Sequence, residues 1–166
     1  VVLLIVYAEW LQYGLNIQAD LDYWKPQPLL GGEIIAVPAR HGHSWVHHLM
    51  ANGAGYVLRL TNEPSIYISG DTVYTSDVER ALKELKPEIA VMASGTATLD
   101  ISKPILMAMD ELVQFVRTSP GKVVANHLEA LNHCPTTREQ LKRELDRNDL
   151  LSKVYIPNDG EILNFE

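Results

Sequence analysis

The chain of 166 residues is 46% hydrophobic and carries 14 lysines and arginines against 21 aspartates and glutamates, a net charge of -7. This composition predicts one folded domain over residues 1–166, and the scattered basic residues exclude the concentrated positive surface of a nucleic-acid-binding protein. The single cysteine, Cys134, excludes an internal disulfide and favours a reducing, cytoplasmic location.

Runs of apolar and β-branched residues predict the strands. The run at 1–7 is too short to span a bilayer, and no basic segment precedes it as in a signal peptide, so we expect a buried strand and no membrane association. Pro26 and Pro28 predict that no regular element forms nearby, ahead of a turn at Gly31-Gly32. The later strands are predicted at 33–39, 55–60, 65–69, 88–93, 122–126, 154–156 and 161–165.

The predicted helices alternate with most of these strands. They cover 8–13, 76–86 and 104–117, and a last helix begins at Thr136 or Thr137. Ser76 and Glu79 form a capping box, and Pro104 suits the first turn of a helix. Because strands 55–60 and 65–69 read as an antiparallel hairpin, the sequence predicts an α/β domain with a mixed sheet.

Three of the predicted strands end at residues of the kinds that bind divalent metals. One runs into His41, the next runs through Gly70 into Asp71, and a third runs into His127. The carboxyl ends of strands are where open α/β sheets hold ligands. If these three residues share one edge, their donor atoms should come close enough to ligate a metal.

Each of these residues also has a simpler interpretation. A histidine in a loop is often a solvent-exposed or hydrogen-bonding residue, and Asp71 after Gly70 is also compatible with a turn cap. Trp45 and the pair at 47–48 favour pocket-wall or surface roles. A nucleophile formed by Cys134 and its neighbour His133 is conceivable, but adjacent side chains seldom align, so a small buried cysteine is the favoured interpretation.

The same three segments carry a family resemblance. Pro-Ala-Arg-His-Gly at 38–42, Tyr-Ile-Ser-Gly-Asp-Thr at 67–72 and the strand ending in His127 resemble successive motifs of the metallo-β-lactamase-fold hydrolases. The run His-Leu-Glu-Ala-Leu-Asn-His-Cys at 127–134 resembles the branch similar to ascorbate-6-phosphate lactonase. The resemblance implies part of a four-layer αββα sandwich with one or two divalent metals at the sheet edge.

The resemblance also implies roles for individual residues. His41 matches a ligand of the first metal, Asp71 matches the catalytic aspartate that bridges both metals, and His127 matches a ligand of the second. The implied reaction is hydrolysis of a small ester, lactone or phosphoester by metal-bound hydroxide. Zinc fits this set best, while manganese or iron also fits. His133, His43 and Thr72 are the candidates for substrate contact or for supporting the ligands.

One departure from the family pattern limits these expectations. The signature His-x-His-x-Asp-His does not occur in this sequence. We therefore expect the C-terminal portion of such a fold, inactive as it stands, with the N-terminal half supplied separately or with self-association as a homo-oligomer. The alternative is a non-catalytic α/β binding or structural module with a degenerate metal site.

Overall fold

The computed structural model of this protein describes residues 21–43, 53–98, 104–129 and 134–165. These residues form a seven-stranded sheet in chain order, with β1 Pro26–Leu29, β2 Gly32–Ala39, β3 Gly53–Arg59, β4 Ile66–Ile68, β5 Ile89–Ala93, β6 Lys122–Asn126 and β7 Val154–Tyr155. Strands β1 to β4 pair antiparallel, and β4 to β7 pair parallel. The predicted mixed α/β sheet is confirmed, while the strand at 1–7 and the helix at 8–13 lie outside the described residues.

Each parallel pair of strands is joined by a helical crossover. Helix α1, Ser76–Arg80, continues through a wider turn at Ala81–Leu85, and helices α2, Met109–Thr118, and α3, Arg138–Arg147, follow. Their apolar residues pack in one cluster with alternate strand residues, including Val57, Tyr67, Ala90, Val123, Leu82, Leu112, Phe115, Leu141 and Leu145. No helix within the described ranges is long and apolar enough to cross a membrane.

The prediction that Pro26 and Pro28 prevent regular structure is wrong. Both lie in β1, which pairs with β2 on one side and forms an edge of the described sheet. An edge strand needs a backbone N–H toward its neighbour only at every second residue, so prolines at alternate positions are tolerated. The turn to β2 is made by Leu30 and Gly31, both with positive φ, as a two-residue hairpin requires.

Two predicted helix starts and one predicted strand are also wrong. The cap of α1 is Thr75, whose side-chain oxygen accepts from the Val78 N–H, so Ser76 lies inside the helix. Helix α2 begins at Met109, five residues after Pro104, because the Glu111 carboxylate accepts from the Ala108 N–H and fixes the start there. Residues 161–165 form no strand. The last helix is capped by Thr137, one of the two predicted residues.

The sheet face opposite the helices carries an apolar row. Tyr56, Ile68, Val91, Val124 and Tyr155 are successive register partners across β3 to β7 and therefore share this face. Tyr56, Ile68 and Tyr155 remain 37%, 38% and 37% exposed. We call these five residues the apolar row.

Candidate metal centre

His41 is placed by the segment that follows β2. The Arg40 N–H donates to the Thr72 hydroxyl over 3.0 Å, and the Arg40 carbonyl accepts from Val73 over 2.9 Å, so this segment is tied to the one that follows β4. The Nδ1 of His41 lies 2.9 Å from the Ile105 carbonyl oxygen. Because a carbonyl only accepts, Nδ1 carries the proton in the neutral ring and Nε2 keeps its lone pair. His41 is therefore oriented as a metal-binding histidine is.

Asp71 follows a tight turn that only glycine permits easily. Gly70 has φ of 63°, and a Cβ there would lie 2.8 Å from the Ala54 carbonyl oxygen. The turn leaves the Asp71 side chain 47% exposed while its neighbour Thr72 is fully buried. The Thr72 hydroxyl accepts a hydrogen bond from the Arg40 N–H and donates one to the Val73 carbonyl. Thr72 therefore fixes the backbone on both sides of the carboxylate.

His127 lies directly after β6 in an unusual backbone conformation. Its φ is 59°, in the left-handed region that costs a residue with a side chain of the order of 1 kcal/mol. Gly95 lies so close that a Cβ there would be 2.5 Å from the His127 carbonyl oxygen and 2.9 Å from the Cys134 Sγ. The closely packed Gly95 and Cys134 thus hold the turn that directs this imidazole.

The structure brings the three predicted ligands together around Asp71. The Nε2 of His41 lies 3.7 Å from Oδ2 of Asp71, and the Nε2 of His127 lies 3.8 Å from Oδ1. Within the described ranges, no group of three or more His, Cys, Asp and Glu side chains is arranged to hold one ion. The geometry instead places one carboxylate oxygen of Asp71 toward each imidazole.

Cys134 contacts the His127 ring from the side of Nδ1. Its side chain is buried, as the sequence predicts, and its Sγ lies 3.5 Å from Nδ1 of His127. Burial, and then the charge of Asp71, raise the pKa of the Cys134 thiol above its ordinary value. A protonated thiol supports the imidazole and is a poor nucleophile. Its neighbour His133, and residues 45, 47 and 48, lie outside the described residues.

Glu111 is a further residue beside the candidate site, and the sequence does not indicate its contacts there. The Arg40 guanidinium can only donate, so the Nδ1 of His43, 3.3 Å away, accepts, and His43 donates from Nε2 to Glu111 over 2.7 Å. Glu111 also accepts from the Tyr74 N–H over 3.2 Å. His43 thus supports the His41 segment, with Glu111 as its partner. A glutamate at the third position of a helix is an ordinary capping residue, so the sequence offers no signal of this contact.

No protein-family profile matches this chain. It is 28% identical over 138 residues to the UPF0173 protein YddR of Bacillus subtilis (strain 168), covering 81% of this chain and 54% of YddR. The chain therefore spans about half the length of the curated relative that it matches.

Several solved structures have a fold similar to that of this chain. The isothiocyanate hydrolase from Delia radicum gut bacteria has a TM-score of 0.86 and 29% identity, covering 96% of this chain and 63% of its own. A possible metal-dependent hydrolase from Veillonella parvula DSM 2008 has a TM-score of 0.75 and 29% identity, covering 83% of this chain and 56% of its own. The metallo-β-lactamase fold protein YhfI from Bacillus subtilis shares the fold, with a TM-score of 0.60 and 10% identity over 89% of this chain and 57% of its own.

These neighbours share the fold of this chain, with TM-scores of 0.86, 0.75 and 0.60. The motif order predicted from the sequence, with His41 first, Asp71 second and His127 third, is the order in which the strands reach the candidate site. The chain therefore has the metallo-β-lactamase fold, and the two neighbours of 29% identity are a hydrolase and a possible metal-dependent hydrolase.

Proposed function

We propose that the parent of this chain is a metal-dependent hydrolase of a small ester, lactone or phosphoester. The observation that carries the proposal is the position of the Asp71 carboxylate, with one oxygen 3.7 Å from His41 and the other 3.8 Å from His127. Bound divalent ions supply two effects at such a site, namely polarisation of the scissile bond and a lower pKa for the attacking water. Zinc suits the histidines, and manganese or iron suits histidine with carboxylate as well.

His41, Asp71 and His127 are the residues of this chain that would hold the ions. His41 presents the lone pair of Nε2, because Nδ1 donates to the Ile105 carbonyl. His127 presents Nε2 toward Asp71 while its Nδ1 faces the Cys134 sulfur. Asp71 is 47% exposed, so its oxygens are accessible from solvent and therefore to a small substrate. This arrangement supports a dinuclear site rather than an ion enclosed by three side chains.

The number of metal-binding groups among the described residues supports a second proposal, which concerns the isolated chain. Each ion would receive one imidazole and one oxygen of Asp71 from the described residues, fewer than the three protein ligands usual at catalytic zinc sites. Fewer ligands bind the ion more weakly and leave the attacking water less well oriented. We infer that the isolated 166-residue chain is not a competent hydrolase and that further ligands come from outside the described residues.

The test uses the full-length parent protein. We would assay hydrolysis of an aryl ester, a γ-lactone, a phosphodiester and an isothiocyanate, the last because of the hydrolase named among the neighbours. We expect turnover of at least one, lost on chelation and restored by zinc, manganese or iron. Turnover that survives complete metal removal would contradict the proposal. A protein without metal and without turnover would support the non-catalytic module instead.

A further inference from the structure

Glu111 connects three segments that surround the candidate metal centre. It is the third residue of α2, and its side chain is 16% exposed. Its Oε1 accepts from the His43 imidazole over 2.7 Å and from the Tyr74 N–H over 3.2 Å, and its Oε2 accepts from the Ala108 N–H over 2.9 Å. Three donors from three separate loops therefore converge on one carboxylate.

The first connection leads to the ring of His41. The loop from Ile105 to Ala108 is held at its start, where the Ile105 N–H donates to the Ala97 carbonyl over 2.8 Å, and at its end by Glu111. The Ile105 carbonyl in this loop accepts from Nδ1 of His41 over 2.9 Å. The position of that carbonyl, and with it the tautomer of His41, therefore depends on the loop that Glu111 fixes.

The other two connections lead to the segments that carry His41 and Asp71. His43 lies two residues after His41, and Tyr74 lies three residues after Asp71. Both contact the same carboxylate oxygen of Glu111, which therefore holds the two segments at a fixed separation. The Arg40 to Thr72 hydrogen bond joins the same segments on their other side.

An ordinary capping role does not account for these contacts. A capping box needs a side-chain acceptor at the residue before the helix, and Ala108 has none. Two of the three donors to Glu111 come from outside its helix. We propose, resting on the metal centre proposed above, that Glu111 is a positioning residue that sets the tautomer of His41 and the spacing between His41 and Asp71.

The test compares Glu111→Gln with Glu88→Gln in the full-length protein. Glu88 also accepts two hydrogen bonds through one oxygen, from the Ser65 N–H over 2.8 Å and its hydroxyl over 3.0 Å, but at the opposite end of the parallel strands. Two quantities are measured: the protonation of each His41 ring nitrogen in metal-free protein, by long-range ¹H–¹⁵N correlation, and the affinity for Co²⁺, by visible absorption.

We expect metal-free wild type and Glu88→Gln to show His41 protonated on Nδ1 alone. In Glu111→Gln we expect a mixture of tautomers and Co²⁺ binding weakened about 10- to 100-fold, the usual effect of losing a residue that orients a ligand. If Glu111→Gln does not fold, His43→Asn removes one contact without touching the helix start. His43→Asn should also weaken Co²⁺ binding, by a smaller factor than Glu111→Gln.

The outcomes separate this inference from the proposed function. Unchanged His41 protonation and unchanged Co²⁺ affinity in Glu111→Gln would overturn the role of Glu111 and leave the metal centre standing. Absence of Co²⁺ binding in wild type would overturn the metal centre. In that case the His41 signals of the metal-free protein still decide whether Glu111 controls the ring.

Discussion

The Nε2 of His41 and the Oδ2 of Asp71 lie 3.7 Å apart, although 30 residues of chain separate them. This proximity follows from the sheet, because β2 and β4 both pair with β3 and both run toward the same edge. The hydrogen bond from the Arg40 N–H to the Thr72 hydroxyl then fixes the two loops next to each other. The sheet and this hydrogen bond bring the two loops together, and the contact of the His41 Nδ1 with the Ile105 carbonyl orients the ring.

Replacing Gly95 by alanine should disturb the candidate metal centre. The new Cβ would lie 2.5 Å from the His127 carbonyl oxygen and 2.9 Å from the Cys134 Sγ, so backbone must move. We expect a loss of about 1–3 kcal/mol of unfolding free energy, typical of overpacking, together with weaker metal binding. Urea denaturation and metal titration of the full-length protein measure the two effects.

Gly53→Ala is the matched control for this change. Gly53 also lies close to Asp71. A Cβ added there would make only ordinary van der Waals contacts, at 3.5 Å to the Ala39 Cβ and 3.7 Å to the Ala39 carbonyl oxygen. We expect both stability and metal affinity to stay near wild type. Equal metal affinities in Gly95→Ala and wild type would show that the His127 turn does not depend on this close approach.

Tyr67→Phe should leave the protein as stable as wild type or make it more stable. Tyr67 is fully buried against Phe115, and within the described part of the chain its hydroxyl has no hydrogen-bond partner. Burial raises the pKa of Tyr67, so the hydroxyl remains neutral. Removing an unsatisfied buried hydroxyl relieves a cost of about 1–3 kcal/mol.

Tyr74→Phe is the comparison for that variant. The Tyr74 hydroxyl donates to Thr118 over 2.8 Å, so its loss should lower the unfolding free energy by about 1 kcal/mol. Urea denaturation distinguishes the two variants by the sign of the change. A Tyr67→Phe variant less stable than Tyr74→Phe would mean that the Tyr67 hydroxyl has a partner.

The sequence predicted the sheet well because its strands have strong local patterns. Strands β5 and β6 are apolar runs bounded by Pro87 and Gly121, and the hairpin of β3 and β4 is marked by its polar turn. The start of α2 was missed because the Glu111 carboxylate, rather than Pro104, determines where the helix begins. That contact is local, but alanine is a poor residue at the position before a helix while Pro104 is a strong start signal, so the pattern favoured the wrong residue.

The candidate site could be predicted as residue types at strand ends, but its support could not. His41, Asp71 and His127 each follow a recognisable strand. The Ile105 carbonyl that orients His41 and the close packing of Gly95 on His127 arise from loops without a pattern of their own. Every residue has a backbone carbonyl, so the sequence does not show which carbonyl will contact His41.

Cys134 should react slowly with thiol reagents in the folded protein. Its side chain is 6% exposed, and burial raises its pKa, so less thiolate is present at pH 8 than for an ordinary cysteine. We expect alkylation at least about tenfold slower than in urea-unfolded protein, with the rise of the rate with pH displaced to higher pH in the folded state. A folded-state rate equal to the unfolded rate would contradict the buried, protonated thiol.

The isolated chain should self-associate through the apolar row. Ile68 is 38% exposed within that row, where it lies between its register partners Tyr56 and Val91. We expect sedimentation to give a mass above that of the monomer, and Ile68→Lys to restore the monomer. Ile162→Lys, at a residue 83% exposed outside the strands, is the control that should leave the mass unchanged. A monomeric wild-type chain would refute this prediction.

The metal content of the full-length protein tests the central claim most directly. We would purify wild type, Asp71→Asn and Asp146→Asn, the last carrying an equivalent change at an exposed position on α3, and measure bound metal by elemental analysis. If Asp71 is shared between ions held by His41 and His127, wild type and Asp146→Asn retain tightly bound divalent metal. Asp71→Asn should lose it, while the metal-free forms of this variant and of wild type unfold at similar denaturant concentrations. Full retention of metal by Asp71→Asn would contradict the account.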